Sequence, residues 1–169
     1  MPKGLKQSSS LITIGARAVE SGANTFTQQR IDLQLNPLDN EVFVVQAIDM
    51  DPSFPEVAAG LRASLSFSLT NTTQSAIPLF NSSSVLAQKV QVIDNTVAPV
   101  AIYMDTQSME TPPTALDYIA IIATNDFFLQ IQGGNQVAAK SANCKVYGYR
   151  ARADASVYAA LVQSELLSQ

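Results

Sequence analysis

Two aspartates spaced two residues apart are the residues whose type and position could support chemistry. Asp49 and Asp51 lie in the stretch IDMDP, and on a strand their side chains would project from the same face. Such a pair could act as the acid and base of a glycosidase, or as ligands of a calcium ion. The preferred interpretation is a strand that ends in a turn, where aspartate is favoured. We therefore predict no metal and no cofactor, with an ion at Asp49 and Asp51 as the open alternative.

Histidine is absent from all 169 residues. Its absence removes Ser–His and Cys–His catalysis, histidine-ligated zinc and most general-base chemistry at neutral pH. The single cysteine, Cys144, lies in a predicted strand and is interpreted as a buried, inert thiol, and one cysteine allows no internal disulfide. The sequence therefore predicts a protein that is not an enzyme and that has no catalytic residues.

Few charged residues are present. Charged residues make up 14% of the chain, hydrophobic residues 47%, and the net charge is −4. A typical globular domain is about 25% charged. The acidic balance argues against direct nucleic-acid binding. The low charge favours close packing between subunits, because few charges must be desolvated when two surfaces meet.

Two arginines stand out within the stretch KVYGYRARA. Arg150 and Arg152 are two residues apart on a predicted strand, so their side chains project in the same direction. They would form a cationic pair suited to carboxylates on an adjacent chain. An ion pair with Asp or Glu on a neighbouring strand of the same chain explains them equally well.

The elements that must position these residues are mostly strands. In LRASLSFSLT, apolar and polar residues alternate strictly, which predicts a strand with one buried face. The stretches EVFVVQAIDM and LDYIAIIAT are apolar on both faces, which indicates that a further layer or a neighbouring subunit covers the second face. Turn sequences separate eight predicted strands, near residues 10–20, 24–36, 41–50, 61–70, 85–94, 97–105, 116–132 (broken around Asn125) and 142–153.

The strand count predicts an all-β fold. We expect one domain, an eight-stranded antiparallel jelly-roll sandwich over residues 9–153. With one cysteine and no tryptophan, the chain lacks the signature of an immunoglobulin domain. The opening stretch MPKGLKQSSS has no apolar core and is not a signal peptide, and no run of 18 apolar residues could span a membrane. Residues 1–8 are predicted to be a flexible arm, ordered only by neighbouring subunits.

Residues 154–169 are predicted to form a short helix capped by Asp154. Its apolar face would contain Tyr158, Leu161, Val162 and Leu166, with Glu165 on the polar face. An isolated helix of this length is marginal in water, so it must pack on its own sandwich or on a neighbour. Since the helix follows the eighth strand, we predict that it lies outside the finished core and contributes to a subunit contact, made by Arg150, Arg152, Leu161, Val162 and Leu166.

Two stretches carry a resemblance to a known family. The ending ARADASVYAALVQSELLSQ after a strand, and EVFVVQAIDMDP followed by RASLSFSLTNTT, resemble the single jelly-roll major capsid proteins of icosahedral DNA viruses of bacteria and archaea. The resemblance covers most of the chain in layout. It implies a structural protein of the virion, which self-assembles into capsomers with itself and with other capsid proteins, and which has no cofactor. An internal membrane beneath the shell is compatible with this family.

The chain departs from many viral coat proteins in having only Lys3 and Lys6 near its start rather than a long basic arm, so direct binding to the genome is not expected. The alternative function is a non-catalytic β-sandwich binding module that recognises a carbohydrate or a receptor. Such modules usually present exposed aromatic side chains, often tryptophan. This chain has no tryptophan, and Tyr103 and Tyr118 are its candidates.

Overall fold

The computed structural model describes residues 3–97, 100–107 and 116–167. Within these residues, ten strands form two antiparallel sheets, a 3-10 turn precedes the fourth strand, and one helix follows the last strand. The bounds are β1 Leu5–Gln7, β2 Ile12–Val19, β3 Thr27–Asp32, β4 Glu41–Pro52, β5 Arg62–Thr70, β6 Val85–Asp94, β7 Ile102–Gln107, β8 Ala120–Ile122, β9 Asp126–Gly134, β10 Ser141–Ala153 and α1 Ala155–Leu167.

The two sheets have the strand order of a jelly roll. In sheet A, β10 pairs on one side with β2 and then β1, and on the other side with β4, which pairs with β8. Sheet B has the order β3-β9-β5-β6-β7. The chain alternates between the sheets, so that β2-β10-β4-β8 packs on β3-β9-β5-β6 around one core. The predicted all-β jelly-roll sandwich is confirmed.

Ten strands replace the eight predicted, for two reasons. The segment 116–132 forms β8 in sheet A and β9 in sheet B, because the chain crosses between the sheets at residues 123–125. The start of the chain adds β1, in which Leu5 is buried and pairs with Ala153. The prediction of a flexible arm is therefore wrong for residues 5–7, which are ordered by the sheet of their own chain.

Strand β5 follows its sequence pattern closely. Four alternate residues are completely buried in the core between the sheets: Ala63, Leu65, Phe67 and Leu69. Strand β4 does not follow a simple alternation, because Gln46 is an extra residue that β10 does not pair. Tyr147 pairs with Ala47 and Gly148 with Val45, which defines a β-bulge.

The bulge reverses which residues of β4 face the core. Val42 and Val44 would share a face with Ile48 in a regular strand. In the structure Ile48 lies in the core between the sheets, whereas Val42 and Val44 lie on the outer face of sheet A. Gly148 permits the close approach, since a Cβ atom there would collide with the Val44 carbonyl oxygen.

Helix α1 covers part of that outer face. It begins where Val157 lies beside Gly4, next to β1, and its far end reaches Ala123, just after β8. Its inward side chains pack in a second apolar cluster with those of sheet A: Leu5, Val42, Val44, Ile121, Ala123, Tyr149, Ala151, Ala153, Val157, Tyr158, Leu161 and Val162. The doubly apolar strands are therefore explained by a covering layer that belongs to the same chain.

Candidate assembly surfaces

A buried carboxylate fixes the far end of α1 to the sandwich. Glu165 is only 5% exposed, and its two carboxylate oxygens accept hydrogen bonds from the backbone N–H groups of Ala123 and Thr124, both at 2.9 Å. Burial raises the pKa of Glu165, while the bonds from Ala123 and Thr124 oppose that rise. The side chain thus satisfies two backbone donors where the chain crosses between the sheets.

The assignment of Glu165 to the polar face of the helix is wrong. It lies seven residues after Tyr158 and four after Leu161, so helical spacing places it on the same inward face. Leu166, assigned to the apolar face, is instead 57% exposed. The spacing was visible in the sequence, but the backbone N–H groups that Glu165 reaches belong to another element and leave no local signal.

The outward side of α1 carries no charge. We call four of its exposed residues, Ala159, Gln163, Leu166 and Leu167, the helix surface. Glu165 is the one charged residue between Ala155 and Leu167, and it points inward. The exposed residues of the helix are small, apolar or uncharged polar, so its outward side presents no charge to solvent and includes the exposed leucines Leu166 and Leu167.

The two arginines find their partners within the chain. Arg150 lies 3.4 Å from a Glu41 carboxylate oxygen and donates to the Leu33 carbonyl at 3.0 Å. Arg152 lies 3.5 Å from Asp39. The structure therefore shows intrachain ion pairs for both arginines, and their contact with an adjacent chain stays a prediction. Both arginines remain partly exposed, and these ion pairs join the last strand to the segments around β4.

The position of the helix removes two residues, Leu161 and Val162, from the exposed part of the predicted subunit contact. Leu161 and Val162 are half-buried against sheet A of their own chain, so they do not lie exposed as the prediction assumed. Leu166 is the member of that apolar set that remains open to solvent. A subunit contact through Leu166 stays a prediction.

Asp49 and Asp51 occupy the exposed outer face of sheet A, at the end of β4. Each has a neutral partner: the Tyr147 hydroxyl donates to Asp49, which raises the pKa of Tyr147, and Asn143 donates to Asp51 at 3.4 Å. In the part of the chain that the structure describes, no three carboxylate, cysteine or histidine side chains come together as a metal site would require. The arrangement fits the preferred interpretation of a strand that ends, here at Pro52.

Cys144 is buried in the core between the sheets, as predicted. Burial raises the pKa of its thiol to about 12, with a further contribution from the charge of Asp49. A thiol with this pKa stays protonated at neutral pH and is a poor nucleophile.

Two loops and an edge strand form the other apolar surface. Eight large side chains, each at least 41% exposed, lie in the connection after β4, the connection after β6 and the first half of β7. We call this the edge surface, and its members are Phe54, Val57, Leu61, Val97, Val100, Ile102, Tyr103 and Met104. The sequence prediction did not identify this surface: it placed Val97 and Val100 within a strand at 97–105 and assigned no function to the apolar residues of DPSFPEVAAG.

Contacts between the loops hold the edge surface together. The rings of Phe54 and Tyr103 lie 6.1 Å apart at an angle of 57°. The two connections exchange backbone hydrogen bonds, from Gly60 to Asn95 and from Asn95 to Leu61, both at 3.1 Å. These contacts join the described parts of the two connections to each other and, through Phe54, to the face of β7 that carries Tyr103.

A polar network anchors the loops at the same end of the sandwich. Glu20 is buried and accepts from the backbone of Gly133 at 2.6 Å and of Lys140 at 2.8 Å. Glu56 pairs with the Lys140 side chain at 2.9 Å and accepts from Val137 at 2.7 Å. The pKa of Glu56 is lowered by these bonds. The hydrogen bonds and the ion pair of Glu20 and Glu56 are made with backbone N–H groups and with Lys140, not between the two carboxylates.

The fold and these surfaces define a jelly-roll sandwich with two apolar surfaces in different places. No helix in the described ranges is long and apolar enough to cross a membrane. No known family profile and no curated protein matches the chain.

Among solved structures, the tailspike protein gp49 from Acinetobacter baumannii bacteriophage Fri1, a capsular polysaccharide depolymerase, is similar over 72% of this chain, with 11% identity and a TM-score of 0.18. This chain spans 20% of that protein.

Proposed function

We propose that this protein is a non-catalytic structural subunit that self-assembles into the capsomers of a virion shell. The observation that supports the proposal best is the presence of two separate apolar surfaces. The helix surface lies on the outer face of sheet A. The edge surface lies at β7, the last strand of sheet B, and in the connections that follow β4 and β6.

The number of surfaces bears on the kind of assembly. A dimer with two-fold symmetry needs a single self-complementary surface, whereas a closed shell needs each subunit to contact neighbours through at least two. The low charge of the chain fits the same function, because few charges must lose water when the subunits meet. The family resemblance of the sequence points to the same function.

The experiment is to follow assembly over a range of protein concentrations by mass photometry and negative-stain electron microscopy. Wild-type protein should form discrete large particles. A Leu166→Ser/Leu167→Ser variant should fold but stop at small oligomers, because its helix surface has become polar. Leu38→Ser is the matched control, since Leu38 is 93% exposed and belongs to neither surface. Wild-type protein that stays monomeric at all concentrations contradicts the proposal.

A second candidate is a carbohydrate-binding module, which the exposed pair Phe54 and Tyr103 favours. Sugars stack on aromatic rings, and these two are accessible. Their 57° tilt, however, presents no common flat platform. A monomer that binds a glycan, with binding lost in Tyr103→Ala, would support this candidate over the shell subunit.

A further inference from the structure

We infer that the edge surface binds the edge surface of a second copy of this chain, and that the two β7 strands pair antiparallel across a two-fold axis. This inference rests on the proposed function and names one of its contacts. It is built from the size of the surface, its charges and the open edge of β7.

The size of the surface matches what an interface needs. The eight apolar side chains expose roughly 800 Å² together, about what each partner contributes to a standard protein–protein interface. The largest apolar patch on a typical monomer is about 300–600 Å². Because Tyr103 projects from the face of β7 opposite to Ile102 and Met104, this area is divided between the two faces of the strand, and a partner that covers both faces would bury all of it.

The charges beside the surface each lie next to an opposite charge. Asp105, the one charged residue of β7, pairs with Lys89 of β6 at 3.3 Å. Arg62 and Asp94, at the ends of β5 and β6, lie opposite each other in the sheet register. A second copy can therefore cover the apolar residues without burying a lone charge.

Within the described ranges, the second edge of β7 has no partner strand, because β7 is the last strand of sheet B. Exposed edge strands are usually protected by lysine, proline or a bulge, but IYMDTQ contains no lysine and no proline, and its pairing with β6 shows no bulge. Ile102 and Met104 are exposed on one face of the strand and Tyr103 on the other, so an added strand would cover both faces.

The register with Tyr103 on the two-fold axis satisfies both symmetry and charge. In antiparallel pairing about a two-fold axis, each residue meets one that projects from the same face. With Tyr103 on the axis, Ile102 meets Met104 of the second copy, and Asp105 meets Ala101. Apolar side chains then face each other, and like charges directly opposite are avoided. The register that would place Asp105 opposite itself is disfavoured.

The first experiment introduces a charge into the edge surface. Met104→Lys should raise the dissociation constant for the pair of subunits by about 100-fold, because the ammonium group would be buried without a partner. Leu38→Lys, which adds the same charge at an exposed leucine outside the surface, should leave it unchanged. Analytical ultracentrifugation measures both, and circular dichroism checks that both variants are folded.

The second experiment tests the strand pairing with cysteines. Protein with Ile102→Cys and protein with Met104→Cys should form a disulfide-linked dimer when the two are mixed and oxidised, but little when each is oxidised alone. Cys144 is buried and should not contribute. Cross-links of equal yield in the mixture and in the separate proteins, or in none of them, would overturn the pairing.

The outcomes separate this inference from the proposed function. If wild-type protein forms shells and Met104→Lys forms them equally well, the shell function stands and the edge contact is wrong. If wild-type protein forms only a dimer that Met104→Lys abolishes, the edge contact stands and the shell function is wrong. A wild-type monomer at all concentrations, including one that captures a peptide from another protein on this edge, overturns both.

Discussion

Replacing Glu165 with alanine should loosen α1 from the sandwich by a predictable amount. The change leaves two backbone N–H groups without acceptors. Ala123 is 4% exposed, so its N–H cannot reach water, and such a loss costs about 1–3 kcal/mol. Thr124 is half-buried, and water can replace part of its bond, so its share is about 1 kcal/mol. The free energy of unfolding should therefore fall by about 2–4 kcal/mol.

Urea denaturation followed by circular dichroism measures this change. Gln163→Ala, on the exposed side of the same helix, is the control and should alter the free energy of unfolding by less than about 0.5 kcal/mol. If Glu165→Ala and Gln163→Ala had equally small effects, the bonds to Ala123 and Thr124 would not hold the helix to the sheet, and the reasoning would be refuted.

The pH dependence gives a second test of Glu165. Burial raises its pKa above the ordinary value of 4.5. Between the unfolded and the folded pKa, the folded state binds more protons, so the free energy of unfolding falls as the pH rises through this window. Wild-type protein should lose stability relative to Glu165→Gln as the pH rises from 4.5 through the folded pKa. A difference that stays flat or changes in the opposite direction would show that the pKa is not raised.

Three further predictions concern the core and the helix. Gly148→Ala should lower the free energy of unfolding by about 3 kcal/mol, because the added methyl group collides with the Val44 carbonyl. Gly15→Ala is the control and should change the free energy of unfolding by less than about 1 kcal/mol, because the space around Gly15 is open. Equal effects of the two variants would show that the bulge tolerates a side chain. Cys144 should not react with a thiol reagent at pH 8 until the protein unfolds, and rapid labelling of folded protein would contradict its burial. Truncation after Ala153 should expose the apolar outer face of sheet A, increase binding of a hydrophobic dye and lower the urea midpoint; an unchanged midpoint would mean that α1 contributes no stability.

The jelly-roll fold was predictable because most strands carry their pattern locally. In β5 the alternation of Leu65 and Phe67 with serines sets the buried face without reference to any other element. The break near Asn125 was also visible, since a polar turn interrupts two apolar runs. The sequence did not show that the chain changes sheets at this break, because that depends on which strands become neighbours.

The missed features share a physical cause. The bulge at Gln46 arises from the register between β4 and β10, and each strand alone gives no sign of it. Strand β1 is three residues long, and Leu5 is its one buried residue, so the sequence pattern was too short to predict it. The partners of Arg150 and Arg152 were left open for the same reason, since Glu41 and Asp39 are distant in sequence.

The apolar surfaces could be predicted only in part. A helix with a single charged residue is evident from the sequence, and so is the apolar character of Leu166. The edge surface required the structure, since Phe54 and Tyr103 come from separate segments that meet only after folding.

The position of β10 in sheet A has a consequence for protein synthesis. It pairs with β1, β2 and β4, all of which leave the ribosome long before it. Until β10 has been synthesised, the backbone groups with which β2 and β4 bind β10 have no partner strand. Strands β5, β6 and β7, by contrast, are consecutive and can pair as soon as they are made. Pairings between residues distant in sequence form slowly and leave intermediates exposed to aggregation. We therefore expect sheet A to remain incomplete during translation until β10 has been made.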